Sequence, residues 1–148
     1  MYYNLTFRCV RYFGGRALGT KYDDANLKFE DGKVDYTKIW EIKEFKGAIK
    51  QVIGEIKQGW VIVFMCSEKE PFHCHRFASV SHALTMQGII VNHILKDDSL
   101  CSNDDLEDKL LMQYKPDYLH TASHQPTKQD VLKQAYQEHS RQITCDSH

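Results

Sequence analysis

A chain of 148 residues is long enough to bury one real core and too short for two comfortable domains. Its 19 Lys and Arg nearly cancel 20 Asp and Glu, and the bases are scattered among acids. Neither nucleic acid nor an anionic membrane surface is therefore implied as a partner. The first residues, Met1 to Tyr12, lack the unbroken apolar core of a secretory leader, and no window is long enough to span a bilayer. Five cysteines without tight spacing (Cys9, Cys66, Cys74, Cys101 and Cys145) read as reduced thiols, so a cytoplasmic location is expected.

Leu5 to Tyr12 partly alternates apolar with polar residues and reads as a strand near a sheet edge. Phe13-Gly14-Gly15-Arg16 closes it, the glycine pair permitting a tight turn. Residues 17–38 form a polar excursion with a turn at Asp31-Gly32, and Tyr22, Phe29, Tyr36 and Trp40 serve as packing beneath it. Phe45, Ala48, Ile49, Val52, Ile53 and Ile56 then recur at three- and four-residue steps, which predicts an amphipathic helix stopped by Gly59. Gly54 inside that helix costs about 1 kcal/mol relative to alanine, which suggests burial against a neighbour.

Trp60 to Met65 is an unbroken apolar run, too short for a helix, and is expected as a strand buried on both faces. A polar loop comes next, and from His75 the spacing of Phe77, Val80 and Leu84 predicts a helix ending at Gly88. Ile89 to Leu95 supplies another apolar strand. Strand, helix and strand with short joints make a βαβ unit, whose two strands should be parallel. After a polar loop, Ser102 or Asn103 caps a helix bearing Leu106, Leu110 and Leu111. Residues 117–126 read as a linker. Thr127 to Asp130 then resembles a capping box opening a last helix, with Val131, Leu132, Ala135 and Tyr136 on its apolar face. Being polar overall, this helix is expected as a loosely docked tail or a contact for another chain. The expected fold is α/β: a short, mainly parallel, Rossmann-like sheet flanked by helices over 1–115, then a linker and helical C-terminal appendage over 116–148.

Met65-Cys66-Ser67-Glu68-Lys69-Glu70-Pro71, followed by Cys74-His75-Arg76, resembles the hallmark of the bacterial proteins grouped as domain of unknown function 488. Phe13-Gly14-Gly15-Arg16 and Val91-Asn92-His93-Ile94-Leu95 are similar to two weaker stretches of that pattern, so the likeness runs from about Tyr12 to Tyr114. Members of that family usually begin with a βαβ unit whose second strand leads into the glycine pair. This chain starts after that point, so the resemblance implies a shortened sheet, completed by a second copy of the chain. The family's activity is not established, and the likeness implies architecture more than chemistry.

A strand that ends, turns and starts a helix is where open α/β sheets place ligands. Amide donors at the helix start, with Arg76 and a reaching Arg16, favour a small anionic or phosphorylated ligand, with His75 beside it. Glu68 opposes this and instead suits a Glu68–Arg76 pair that locks the loop, leaving a structural or interaction module. Cys66, at the strand end, and Cys74, at the helix mouth, are candidate nucleophiles with His75 or His73 as base. Glu68 joins them as a candidate catalytic residue. The bland alternative is that Cys66 is a small buried apolar residue. Metal binding by Cys66, Cys74, His75 and His73 is weighed and not adopted, because the cysteines are farther apart than structural zinc spacing. His93 and Cys101 are expected near each other, His93 as a satisfied core histidine. No cofactor pattern is found, and His82, His120, His124, His139 and His148 receive no role.

Overall fold

The computed structural model describes residues 25–66, 68–119 and 127–143. The expected strand at Leu5–Tyr12 and the Gly-Gly-Arg segment with Arg16 lie outside them. The chain enters through a short antiparallel bridge, Lys28 to Val34, folded around Gly32 at φ 82°. The predicted turn is therefore present, and its left-handed backbone needs glycine. Asp35 then caps α1 (Tyr36–Ile39), its Oδ1 accepting from the Thr37 amide at 3.0 Å. The predicted amphipathic helix is α2 (Lys43–Lys57), which buries Phe45, Ile49 and Val52, and Gly59 leaves it at φ 91°. Gly54 differs from expectation: a side-chain carbon there would meet nothing within 4 Å.

Trp60 to Met65 is not a strand buried on both faces. Ile62 and Phe64 are half-buried against the core, whereas Val61 is 83% and Met65 90% exposed. The period of two is present, with Ile62 and Phe64 turned inward and Val61, Val63 and Met65 outward. A short 3-10 turn, Pro71–His73, carries the chain back into the core, proline tolerating a turn's first position because its missing N–H is not needed there. Beyond Cys74 the predicted helix begins as a π-helical segment, Arg76–Ser81, and continues as α3 (His82–Thr85). Phe77, Val80 and Leu84 are buried as their spacing requires.

Among the described residues the mainly parallel, Rossmann-like sheet expected of the chain is not present. Within them the end of the Ile89–Leu95 run pairs, as β1 (Asn92–Ile94), and its partner is the next segment, β2 (Leu100–Ser102), antiparallel to it. The physical reason is local. The Leu95 amide bonds Ser99 O at 2.9 Å while Asp98 adopts φ 65°, a region Asp tolerates, so the polar loop closes a hairpin. What the described residues form is a mixed fold of several helices with a small two-stranded antiparallel sheet.

Ser102 caps α4 (Asn103–Tyr114) in a reciprocal box with Asp105. Thr127 does the same with Asp130 for α5 (Lys128–Ser140). Far from docking loosely, α5 buries Val131, Leu132, Ala135 and Tyr136 in the one core that α1, α2 and α4 also build. A largely polar helix is held here by one apolar face plus buried hydrogen bonds, including His139 Nε2 to Phe72 O at 2.7 Å. No helix among the described residues is long and apolar enough to cross a membrane.

Candidate functional site

The loop from Cys66 to Arg76 is fixed from both ends. Phe64 packs its ring toward the core at one end, and Phe72 and Phe77 stack at 5.6 Å under the other. Between them Cys74 is fully buried, while Cys66 and His75 are half-buried. Cys66 Sγ lies 3.7 Å from His75 Nδ1, and the His75 ring stacks toward Tyr36 at 6.4 Å. The ligand atoms of Cys66, Cys74 and His75 all lie within 4.8 Å of one another. Three of the six site residues read from the sequence are thus brought into one cluster.

Arg76 is placed differently from expectation. Its Nη1 donates to Phe64 O at 3.0 Å, its Nη2 to Glu68 O at 3.1 Å, and its Nε to Cys74 Sγ at 3.2 Å. Every arm of the fork is spent on the loop itself. The first amides of the helical turn are spent too: Arg76 N donates to Cys74 Sγ at 3.3 Å, and Phe77 N to Cys74 O at 3.0 Å. The expected open cradle of amide donors is therefore closed by Cys74. The reason is the residue type: a buried sulfur with no other acceptor role collects the donors that an anion would otherwise take.

The Glu68–Arg76 lock exists, but through the Glu68 main-chain carbonyl rather than its carboxylate, which is exposed. Among the described residues no carboxylate pairs with Arg76, so its positive charge stands unneutralised beside the thiols. Arg16 lies outside the described residues. His73 is exposed and packs edge-on against Phe72, away from a ligand role.

His93 sits opposite Cys101 in the β1–β2 register, so the two share a face as expected. His93 Nε2 meets Asn103 Oδ1 at 3.1 Å, which makes it a satisfied core histidine. Burial lowers its pKa below the ordinary value, with the Arg76 charge acting in the same direction and the Asn103 bond against it. Burial, with the Asp105 charge, also pushes the Cys101 thiol up, while Lys109 acts against it. What sequence reasoning missed is His82, whose Nδ1 lies 2.9 Å from the buried carboxylate of Glu107. They are 25 positions apart, and no local spacing signals such a pair.

Residues 4–81 match the family described as domain of unknown function DUF488, which is more than half of the chain. The chain belongs to that family. The hallmark cysteines, Glu68, His75 and Arg76 all fall within the matched stretch, while α4 and α5 lie beyond it. Curated proteins and solved structures give no significant match.

Proposed function

We propose that the Cys66–Arg76 junction is a thiol site at which Cys66 attacks an electrophilic centre of a small anionic or phosphorylated ligand. His75 takes the thiol proton and passes it to the leaving group, whose bond to the attacked centre breaks as the sulfur bond forms. Arg76 attracts the anion through its unneutralised charge rather than through its fork. The observation that carries this reading is the 3.7 Å approach of Cys66 Sγ to His75 Nδ1 at a thiol that is only half-buried. Cys74, sealed and bonded by two N–H groups of Arg76, is the positioning partner. A cytoplasmic setting, where thiols stay reduced, belongs to the same proposal.

Iodoacetamide labelling at neutral pH, read by peptide mass, tests it. Cys66 should be alkylated about tenfold faster in the wild type than in His75→Asn, with Cys74 protected. Equal rates in the two proteins would remove the nucleophile.

The clustering of three soft donors supports a second reading, a zinc site. Donors in a tetrahedral Zn²⁺ site lie roughly 3.3–3.8 Å apart, so a spread of 4.8 Å needs only modest contraction. Cys66, Cys74 and His75 would hold the ion and leave a fourth position open. Stoichiometric zinc retained through gel filtration, and lost in Cys74→Ser with the fold preserved, would favour that reading over the nucleophile.

A further inference from the structure

Away from the cysteine loop, a cavity of about 430 Å³ opens between α2, α3 and the start of α5. That is within the range of small-molecule sites. Its wall includes the apolar Trp40, Ile49, Ile53 and Met86, and the buried His82 also lines it. The His82 ring is clamped, stacked on Trp40 at 4.2 Å and tilted against Tyr136 at 4.7 Å.

The hydrogen bonds fix which nitrogen faces which way. Glu107 Oε1 accepts from the Tyr136 hydroxyl at 3.0 Å and from Asn103 Nδ2 at 3.2 Å. Burial and the neighbouring Glu107 charge hold that hydroxyl protonated, its pKa well above the ordinary tyrosine value. An oxygen already taking two donors is an acceptor, so His82 Nδ1 carries the hydrogen in their 2.9 Å contact. In the neutral ring the lone pair is then on Nε2, which has no hydrogen-bond partner among the described residues. Since no buried side-chain nitrogen or oxygen among them is unsatisfied, Nε2 is the atom through which His82 meets the cavity.

The rim is cationic. Lys46 is spent on Glu41 at 2.6 Å, and Asp130 is tied to the Thr127 hydroxyl at 2.7 Å. Lys50 and Lys133 also line the opening, and neither has a carboxylate within ion-pair distance among the described residues. A ring nitrogen on His82, a flat indole wall and the ammonium groups of Lys50 and of Lys133, the latter also acting on the Glu41 carboxylate, define one kind of complement.

We propose that this cavity binds a small aromatic carboxylate whose ring bears an O–H or N–H donor. The ring donor meets His82 Nε2, the ring lies against Trp40, and the carboxylate reaches Lys50 and Lys133. This site is independent of the thiol chemistry at Cys66. The probe is 4-hydroxybenzoate, with benzoate and phenol as fragments lacking the donor or the acid. Binding is read by calorimetry and by the ¹⁵N resonances of the Trp40 indole and the His82 ring. The full probe should bind about tenfold tighter than either fragment, because each fragment leaves one polar group of the site unpaired. Lys50→Glu combined with Lys133→Glu, both on the surface, should weaken 4-hydroxybenzoate about tenfold and leave phenol unchanged. Ile53→Trp should fill the cavity and abolish binding with the thermal midpoint retained. Equal affinity for the three compounds, or binding that survives Ile53→Trp, would overturn the assignment.

Discussion

Replacing Arg76 by alanine separates a loop held from within from a loop that waits for an anion. The guanidinium makes three hydrogen bonds, to Phe64 O, Glu68 O and Cys74 Sγ. A bond from a charged donor contributes about 1.5–3 kcal/mol when buried. Here Arg76 is half-buried, Glu68 is exposed, and sulfur is a weak acceptor, so the low end applies to the first bond and less to the others. Roughly 3 kcal/mol in total is a fair figure. For a chain of this length that lowers the thermal midpoint by about 10 °C. Arg76→Lys retains a single donor direction and should recover only a part of the loss, since an ammonium cannot span three acceptors set in a fork. Glu68→Gln is the decisive control. The bond runs to the main-chain carbonyl, so the substitution should leave the midpoint unchanged, whereas a carboxylate–guanidinium pair would be weakened by it. Urea unfolding and thermal melts of the three variants give the answer. A loss of under about 1 kcal/mol in Arg76→Ala, or a Glu68→Gln variant as damaged as Arg76→Ala, would refute the internal lock.

Gly54→Ala should raise stability by about 1 kcal/mol, because the position is helical and the added methyl meets open space; urea midpoints measure it. Removing the Ser102 cap with Ser102→Ala should cost about 1 kcal/mol by leaving the Asp105 amide unbonded, read the same way. Stability should also fall on acidification. Burial lowers the pKa values of His93 and His139 in the folded chain, so the unfolded chain binds more protons below its ordinary histidine value of 6.5. Unfolding free energy therefore rises with pH between the lowered folded values and about 6.5, by at most about 1.4 kcal/mol per pH unit for each proton taken up. Urea unfolding between about pH 5 and pH 8 checks the sign, and His139→Gln should flatten the profile.

Local signals are readable in this chain, and long-range ones are not. The periodic stripe of α2, the stops at Gly59 and Gly88, the cap at Ser102 and the box at Thr127 are each set within a few residues, and each is present. No parallel pairing is present among the described residues, and sheet order depends on partners distant in sequence. Ile89 to Leu95 carries the same apolar pattern whether it pairs with Trp60–Met65 or folds back on Leu100–Ser102, and the Asp98 turn decides for the hairpin. The docking of the last helix is hidden for a related reason. Its mean polarity conceals that Tyr136 and His139 are satisfied by Glu107 and Phe72, which only the folded chain brings near. The hallmark residues are visible as a group, yet the direction of Arg76 is not, since sequence cannot say whether a guanidinium faces solvent or its own backbone.

That direction bears on what distinguishes the two hallmark cysteines. Arg76 donates twice to Cys74 and bonds the carbonyls on both sides of Cys66 without touching Cys66 itself. One sulfur is thereby immobilised in a buried site, while the other is left half-open with a histidine nitrogen 3.7 Å away. A loop serving structure alone would gain by burying both, as free cysteines commonly are. The division of one sulfur as brace and the other as reachable group is the arrangement that thiol chemistry or a metal ion with an open position would use. In either case Arg76 also positions the loop, beyond the charge it offers an anion, so its loss should loosen the Cys66–His75 approach. Labelling of Cys66 in Arg76→Lys, compared with His75→Asn at the same temperature below both melts, should therefore show a smaller loss of rate in the lysine variant.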